Sequence, residues 1–249
     1  MGKLAFLRLG FLFLGLVCNA GVAQTPNPQV INITSNRPPQ SILAPNGELT
    51  GLAVDLGRAL YSDASFVPGP LPRAVAATRD SLNTLIFIYR SPERESDFKW
   101  VAPIYSSPVY VYVPKGWVAQ HGVDINLITP MGVQFGSALM QTLNSKQYNG
   151  KVATNTSNDV NLQLLKAGRL GGWIEAQMIS SYVMKSQNVD ASSFDKIGPL
   201  TEVTTWLATS ARSDDAFISE TRKRVAKLQA KRSYVDIVER YNAKPVLEK

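Results

Sequence analysis

Residues 84–105 read TLIFIYRSPERESDFKWVAPIY, and this stretch holds the strongest signal in the chain. It opens with the apolar run LIFIY at 85–89, which is typical of a buried strand. Arg90 and Arg94 follow in a polar turn, and a second apolar segment, WVAPIY at 100–105, leads into another strand. A guanidinium at the end of a rigid strand can hold a carboxylate through two parallel hydrogen bonds. The stretch therefore predicts an anion site beside the strand.

Around this stretch, short apolar strands alternate with amphipathic helices. The predicted strands are residues 30–34, 85–89, 109–113, 131–134, 152–154, 171–174, 194–197 and 204–209. The predicted helices are residues 51–63, 73–81, 136–143, 159–167, 176–185, 214–230 and 234–241. The side chains expected to point inward are Leu52, Leu56 and Leu60 on the first helix and Val160, Leu164 and Leu165 on the fourth. This alternation predicts an α/β fold with mostly parallel sheets.

The first 23 residues have the pattern of a secretory signal peptide. Lys3 and Arg8 give a positive start, residues 9–17 are apolar, and small residues lead to a cleavage site after Ala23. The apolar run is short for a membrane span, so an uncleaved anchor is the less favoured alternative. We therefore expect export to the periplasm and cleavage near Ala23, leaving about 226 residues, enough for two small lobes.

Cys18 is the only cysteine of the chain, and cleavage would remove it. Its lipidation is an alternative, but Val17 precedes it where a lipid-modified cysteine usually follows a small residue. Without Cys18 the mature chain can form no disulfide, no cysteine nucleophile and no thiolate metal site.

Composition argues against catalysis and against nucleic-acid binding. His121 is the only histidine, and Ser-His-Asp, HExxH and Walker-type patterns are missing. We predict a protein that is not an enzyme, with no catalytic residue, no cofactor and no metal site. Loss of Lys3 and Arg8 lowers the formal charge from +7 to +5, and the remaining basic residues are dispersed except in the helical run 222–232. Such a run is typical of a solvated helix face, so nucleic acid is not an expected partner.

Four segments resemble the periplasmic solute-binding proteins of the polar amino-acid type, solute-binding family 3. They are NGELTGLAVDL at 46–56, SPERE at 91–95 with FKW and PIY after it, GVQFGSA at 132–138 and LKAGRLGGWIE at 165–175. The resemblance covers nearly the whole mature chain, and the segment around SPERE is its most specific part. It implies a type II periplasmic-binding-protein fold, in which two α/β lobes enclose a ligand cleft.

The resemblance also divides the chain. One lobe is expected from residues 24–113 plus 203–249, and the other from residues 114–202. The chain is expected to cross between the lobes near residues 109–116 and 199–207, with Pro114-Lys115-Gly116 as a hinge.

Three charged residues receive roles from the resemblance. Arg94 occupies the position that grips the carboxylate of the ligand; the alternative is a surface charge at a helix start. Glu175 occupies the position of the acid that binds the α-ammonium group; the alternative is an exposed acid stabilised by a helix dipole. Arg90 is either a second ligand contact or part of an ion pair between the lobes.

The other expected ligand contacts are smaller or aromatic. Gly136 and Ser137 form the strand-to-helix turn of the second lobe, where backbone N–H groups favour an anion; an ordinary N-cap is the alternative. Tyr89 and Trp173 are candidates for the pocket wall, and so are Trp100 and Tyr105, with a place in the core as the alternative for each.

The chain also departs from the family pattern. Gly171 stands where an aspartate is usual, and Phe87 and Tyr89 stand where small hydroxyl-bearing or glycine residues often contact the ligand. The predicted function is capture of a small carboxylate-bearing solute, such as an amino acid or a related compound, and its delivery to an ABC transporter permease by a monomeric protein. The alternatives are a ligand-sensing module for a separate membrane receptor, and a dehydratase-like enzyme with Glu175 as proton donor.

Overall fold

The computed structural model describes residues 29–247. The predicted signal peptide, residues 1–23, lies outside the described residues, as does Cys18. The strands are β1 (Val30–Thr34), β2 (Asn36–Arg37), β3 (Ser41–Leu43), β4 (Leu49–Thr50), β5 (Ser65–Gly69), β6 (Leu85–Tyr89), β7 (Phe98–Pro114), β8 (Met131–Gln134), β9 (Val152–Asn155), β10 (Gly172–Ala176), β11 (Phe194–Ser210) and β12 (Lys244–Pro245). The α helices are α1 (Leu52–Leu60), α2 (Leu71–Asp80), α3 (Trp117–His121), α4 (Leu139–Ser145), α5 (Asn158–Lys166), α6 (Gln177–Ser186), α7 (Asp215–Gln229) and α8 (Arg232–Arg240).

One continuous sheet runs through both halves of the molecule. Its strand order is β5-β1-β6-β11-β7-β10-β8-β9, with β12 added on β7, and β2, β3 and β4 form a small separate sheet. Neighbouring strands are parallel in the outer parts, β5-β1-β6 and β10-β8-β9, and antiparallel where β6, β11, β7 and β10 meet. We call the part around β5, β1 and β6 the first lobe, and the part around β10, β8 and β9 the second lobe. The space between the two lobes is the cleft.

Strands β7 and β11 connect the lobes, and each is 17 residues long. The sequence predicted only shorter pieces of them, because their prolines are typical of strand ends. In the structure, Pro103 and Pro199 lie at shifts in the pairing register of β7 and β11. A bulge tolerates proline because the missing N–H removes no ladder hydrogen bond there. Each strand therefore continues through positions that look like breaks.

The position of the crossing in β7 follows from its pairing. Val109–Tyr112 pair with β10, a strand of the second lobe, whereas the sequence assigned residues 109–113 to the first lobe. We place the crossing in β7 near residues 106–108. Pro114, in the segment expected as a hinge, pairs with Phe194 at the end of β7. Residues 114–116 form the turn into α3.

Helix α1 buries the face that its sequence predicted. Leu52 and Leu56 are fully buried and Leu60 nearly so, in the largest apolar cluster of the molecule. Gly51 precedes the helix with a φ of +118°, and a Cβ there would lie 2.8 Å from two backbone oxygens of residues 39 and 40. Only glycine fits this junction between the β3–β4 hairpin and α1.

Helix α5 buries Leu165 and packs Leu164 against the core as predicted, but it leaves Val160 outside and turns two asparagines inward. Its buried residues are Asn158, Asn161, Leu162 and Leu165, while Val160 is 38% exposed. The prediction assumed that apolar residues alone face the interior. Here two asparagines do so because their amides find hydrogen-bond partners, among them the side chain of Gln134. The polar network that they begin leads into the cleft.

Candidate functional site

Arg94 reaches across the cleft from the end of the first lobe's strand β6. It lies in a short 3₁₀ helix, Pro92–Arg94. Its Nη1 donates to the Tyr89 carbonyl at 2.9 Å, and its Nη2 donates to the Gly136 carbonyl of the second lobe at 3.2 Å. Arg94 is half-buried, and no carboxylate within residues 29–247 forms an ion pair with it. Burial, and then repulsion from Arg37, lower the pKa of this guanidinium.

Arg37 brings a second guanidinium into the cleft. It ends β2 and is 4% exposed. Its Nη1 donates to Gln134 Oε1 at 3.4 Å, its Nη2 lies 3.9 Å from Glu175 Oε1, and its guanidinium carbon lies 4.9 Å from the centre of the Tyr89 ring. Burial opposes the positive charge, but Tyr89 and Glu175 outweigh this effect and raise the pKa of Arg37.

Arg37 was not among the predicted site residues, because the two prolines after it suggested only a break in the chain. One signal could have indicated it. Arg37 follows the carboxyl end of β1, and β1 is parallel to β6. Ligands of open α/β sheets bind at the carboxyl ends of the strands, so the loop after β1 belongs beside Arg94.

Glu175 supplies the negative charge of the site from the second lobe. It is the fourth residue of β10 and is fully buried. Its Oε1 accepts a hydrogen bond from the Ala176 N–H at 2.8 Å, and its Oε2 has no hydrogen-bond partner among the described residues. Burial raises the pKa of Glu175, and Arg37 partly opposes this rise. Glu175 is therefore not an exposed acid at a helix start.

Three hydroxyl groups of the central strands lie in the same region without partners. They belong to Tyr89 on β6, Tyr105 on β7 and Thr205 on β11, and none finds a hydrogen-bond partner within residues 29–247. Thr205 is opposite both tyrosines in the pairing of the sheet. Burial raises the pKa of Tyr89 to about 12, so this phenol keeps its proton at neutral pH. Protonated hydroxyls here can donate hydrogen bonds to an anion.

A small cavity lies beside the two arginines and Tyr89. It holds about 10 Å³, roughly the room of a single water molecule. The residues that line it are Arg37, Gln40, Leu71, Phe87, Ile88, Tyr89, Arg94 and Ala138. Ala138 belongs to the second lobe and the others to the first, so the lobes are in contact and the cleft is closed around the two arginines.

Arg90 lies outside this cavity, at the mouth of the cleft. It forms a bidentate ion pair with Glu95 at 2.8 and 2.9 Å, and its guanidinium carbon lies 4.9 Å from the centre of the Trp206 ring. Glu95 belongs to the same loop, so the expected ion pair between lobes is not formed. Arg90 lines a wider groove of about 600 Å³ between the loop after β6 and helix α4.

Gly136 and Ser137 form the second lobe's side of the cleft. Gly136 has a φ of +74°, and its carbonyl accepts the hydrogen bond from Arg94. Ser137 is buried, and its Oγ accepts a hydrogen bond from the Leu139 N–H at 3.3 Å. Helix α4 begins at Leu139, three residues later than the sequence predicted. The Ser137 hydroxyl therefore contacts the first residue of the helix, but Ala138 is the N-cap, so Ser137 does not take the N-cap position of the alternative.

Trp173 lies deeper in the second lobe than a pocket wall. It is fully buried in the apolar core, its indole N–H donates to Asn158 Oδ1 at 3.2 Å, and its ring packs 5.6 Å from the ring of Tyr112. Because side chains alternate along a strand, Trp173 shares a face with Glu175 but lies two residues further from the strand end. Trp173 is a core residue, in keeping with the alternative stated for it.

None of the helices between residues 29 and 247 is long and apolar enough to cross a membrane. No family model matches the chain, and no curated relative matches it by sequence.

Solved structures, in contrast, match over most of the chain. A histidine kinase sensor domain with similarity to periplasmic binding proteins has a TM-score of 0.76 at 15% identity, over 88% of this chain and 98% of its own. A Streptococcus pneumoniae ABC uptake transporter substrate-binding protein with bound histidine has a TM-score of 0.73 at 14% identity, over 86% of this chain and 92% of its own.

A third similar structure is an ancestral amino-acid-binding protein described as a precursor of cyclohexadienyl dehydratase. It has a TM-score of 0.71 at 17% identity, over 86% of this chain and 95% of its own. At such identities the likeness concerns the fold, and it confirms the fold that the sequence segments predicted. The chain has the two-lobe α/β fold of the periplasmic binding proteins and resembles solute-binding family 3.

Proposed function

We propose that this protein is an exported solute-binding protein that closes around a small carboxylate-bearing solute. The main support for this proposal is the burial of Arg94 and the kind of hydrogen-bond partners that it has. Its guanidinium is half-buried between the lobes and, among residues 29–247, donates only to the backbone carbonyls of Tyr89 and Gly136, one from each lobe. A guanidinium in this position can bind the carboxylate of a solute, which accepts two hydrogen bonds from it.

Other groups would complete the site. The Tyr89 hydroxyl would donate to the same carboxylate, and Glu175 would hold the α-ammonium group if the solute is an amino acid. Gly136 and Ser137 would form the wall of the second lobe. A solute that touches both lobes binds the closed state more tightly than the open one, so it shifts the population toward closure.

Delivery to an ABC transporter permease follows as the proposed physiological role. The similarity to a transporter substrate-binding protein supports it. In this proposal the signal peptide is cleaved near Ala23, and the protein works in the periplasm as a monomer.

A ligand-sensing role with a separate membrane receptor is the second candidate, because a histidine kinase sensor domain is among the similar structures. Co-purification from membranes with a permease or with a receptor separates the two roles. A dehydratase-like activity is less favoured. The buried Glu175, whose pKa is raised, is the proton donor proposed for it, and turnover of cyclic carboxylates such as prephenate tests it.

A ligand screen tests the proposed function directly. The mature protein is purified from the periplasm for native mass spectrometry and is then screened by thermal shift against amino acids, organic acids and polyamines. Because a ligand of the folded state raises the melting temperature, we expect shifts with carboxylate-bearing compounds. Hits among polyamines alone, or neither a hit nor a retained ligand, would contradict the proposal.

A further inference from the structure

The cleft buries an uneven set of charges. Within residues 29–247, Arg37 and Glu175 are the charged side chains that are almost completely buried, and they face each other between the lobes. Arg94, half-buried, lies beside Arg37 closely enough for the two to repel each other. These two guanidinium groups and one carboxylate leave an excess of one positive charge. The next ion pair toward the solvent, Arg90–Glu95, has no net charge and does not change this sum.

Arg37 is also the cation that faces Glu175. It approaches Glu175 from the first lobe, so an ammonium group held by Glu175 would lie beside this guanidinium. Its contacts there are long, 3.9 Å to Glu175 and 3.4 Å to Gln134. In the described part of the chain its Nη2 and Glu175 Oε2 have no hydrogen-bond partner. Arg37 and Glu175 therefore neutralise each other's charge, but each keeps an atom that can still form a hydrogen bond with a ligand.

We infer that Arg37 makes this cleft selective for solutes with a net charge of −1, and that it excludes neutral zwitterions and cations. This inference rests on the proposed function and specifies its substrate class. A buried charge is tolerated only when it is paired, so the solute must cancel the excess positive charge of the closed cleft.

Two kinds of solute satisfy this condition. A monocarboxylate without an ammonium group pairs with Arg94 and leaves Arg37 with Glu175. An acidic amino acid places one carboxylate on Arg94, the other on Arg37 and its ammonium group on Glu175. A neutral amino acid would bring its ammonium group beside Arg37 with no second carboxylate to offset the repulsion.

The test compares solutes of similar shape and different charge by isothermal titration calorimetry at pH 7.5. Glutamate and glutamine form one pair, lactate and alanine form a second, and arginine represents the cations. We expect the acid of at least one pair to bind about 100-fold more tightly than its neutral partner, as an unpaired buried charge predicts. Binding of glutamate alone would indicate an acidic amino acid, and binding of lactate would indicate a carboxylate without an ammonium group.

Substitution of Arg37 separates its role from a purely structural one. In Arg37→Gln, Glu175 is free to pair with a ligand ammonium group, so the preference should shift toward glutamine or alanine. Arg37→Lys keeps the positive charge and should keep the wild-type preference. Arg90→Gln, at the mouth of the cleft, is the matched control and should behave as the wild type. Thermal unfolding of each variant verifies that it folds.

The outcomes separate the two proposals. The inference is overturned if the tightest ligands are neutral or cationic, or if a folded Arg37→Gln variant keeps the wild-type order. In both cases the protein still binds carboxylate-bearing solutes and the proposed function stands. If no carboxylate binds at all, both fail.

Discussion

The guanidinium of Arg37 and the carboxylate of Glu175 approach to 3.9 Å across the cleft, one from each lobe. Both side chains are almost completely buried, at 4% and 0% exposure. Breaking a buried pair costs much more than an exposed one, because it leaves a charge without a partner in a medium of low polarity. The closed arrangement of the lobes and the charge state of this pair are therefore linked.

Arg94→Ala should abolish carboxylate binding while the fold survives. The side chain is half-buried and its partners are backbone carbonyls, so its loss leaves no buried side-chain charge without a partner. We expect affinity for a carboxylate ligand to fall by about 100-fold or more, measured by calorimetry, with a small change in melting temperature. Wild-type affinity in Arg94→Ala would refute the role of this guanidinium.

Arg90→Ala is the matched control for Arg94→Ala. Arg90 lies four residues earlier and carries the same charge, but it is exposed and paired with Glu95. Its removal should change the affinity by less than about threefold. An equal loss in both variants would mean that the general positive potential, and not the position of Arg94, attracts the ligand.

Glu175→Gln should change how stability depends on pH. The folded-state pKa of Glu175 lies above its ordinary value because of burial, so the folded protein holds this proton more tightly than the unfolded chain. The stability that this proton contributes is fully present below the unfolded-state pKa and is lost as the pH rises through the folded-state pKa. In urea unfolding at a series of pH values, the free energy of unfolding of the wild type minus that of Glu175→Gln should therefore decrease as the pH rises.

Glu95→Gln tests the sign of that effect. Hydrogen bonds from Arg90 lower the pKa of Glu95, so its contribution is present at higher pH and is lost as the pH falls through the lowered pKa. The free energy of unfolding of the wild type minus that of Glu95→Gln should therefore increase as the pH rises. If the two differences in unfolding free energy changed with pH in the same direction, burial would not be the dominant effect on the pKa of Glu175.

Gly51→Ala should destabilise the protein strongly, and Gly47→Ala only mildly. Both glycines have positive φ, +118° and +83°, but a Cβ at Gly51 would meet backbone oxygens at 2.8 Å whereas one at Gly47 meets nothing within 4 Å. We expect a loss of about 1 kcal/mol for Gly47→Ala and about 3 kcal/mol or more for Gly51→Ala. Urea unfolding measures both, and similar losses would mean that the backbone near Gly51 can move aside.

Trp173→Phe should reduce stability and leave ligand affinity nearly unchanged. The substitution removes buried ring volume and the hydrogen bond to Asn158, which together cost about 2–3 kcal/mol. Trp117→Phe is the control, because Trp117 is only half-buried and stacks 4.8 Å from His121. A large loss of ligand affinity in Trp173→Phe would mean that Trp173 contacts the ligand as part of the pocket wall.

The local pattern of the sequence was enough to predict a large part of the fold. Strand β6 and the position of Arg94 after it followed from an apolar run and a polar turn, and the buried face of α1 followed from leucines spaced four residues apart. These features depend on neighbours within about ten residues, where periodicity and turn residues carry most of the information. The resemblance to a known family added the two-lobe arrangement.

The tertiary structure decided the features that depend on distant partners. The bulges of β7 and β11 absorb prolines that look like strand ends, and Asn158 can face inward because Gln134 accepts its hydrogen bond. Arg37 precedes two prolines in the sequence, and it lies near Glu175 only because the fold brings the two lobes together. A polar residue is stable in the interior only if a partner reaches it, and for these residues the partner comes from a remote part of the chain. The sequence alone therefore determined strand β6, the position of Arg94 after it and the buried face of α1, and the fold alone decided which charges face each other in the cleft.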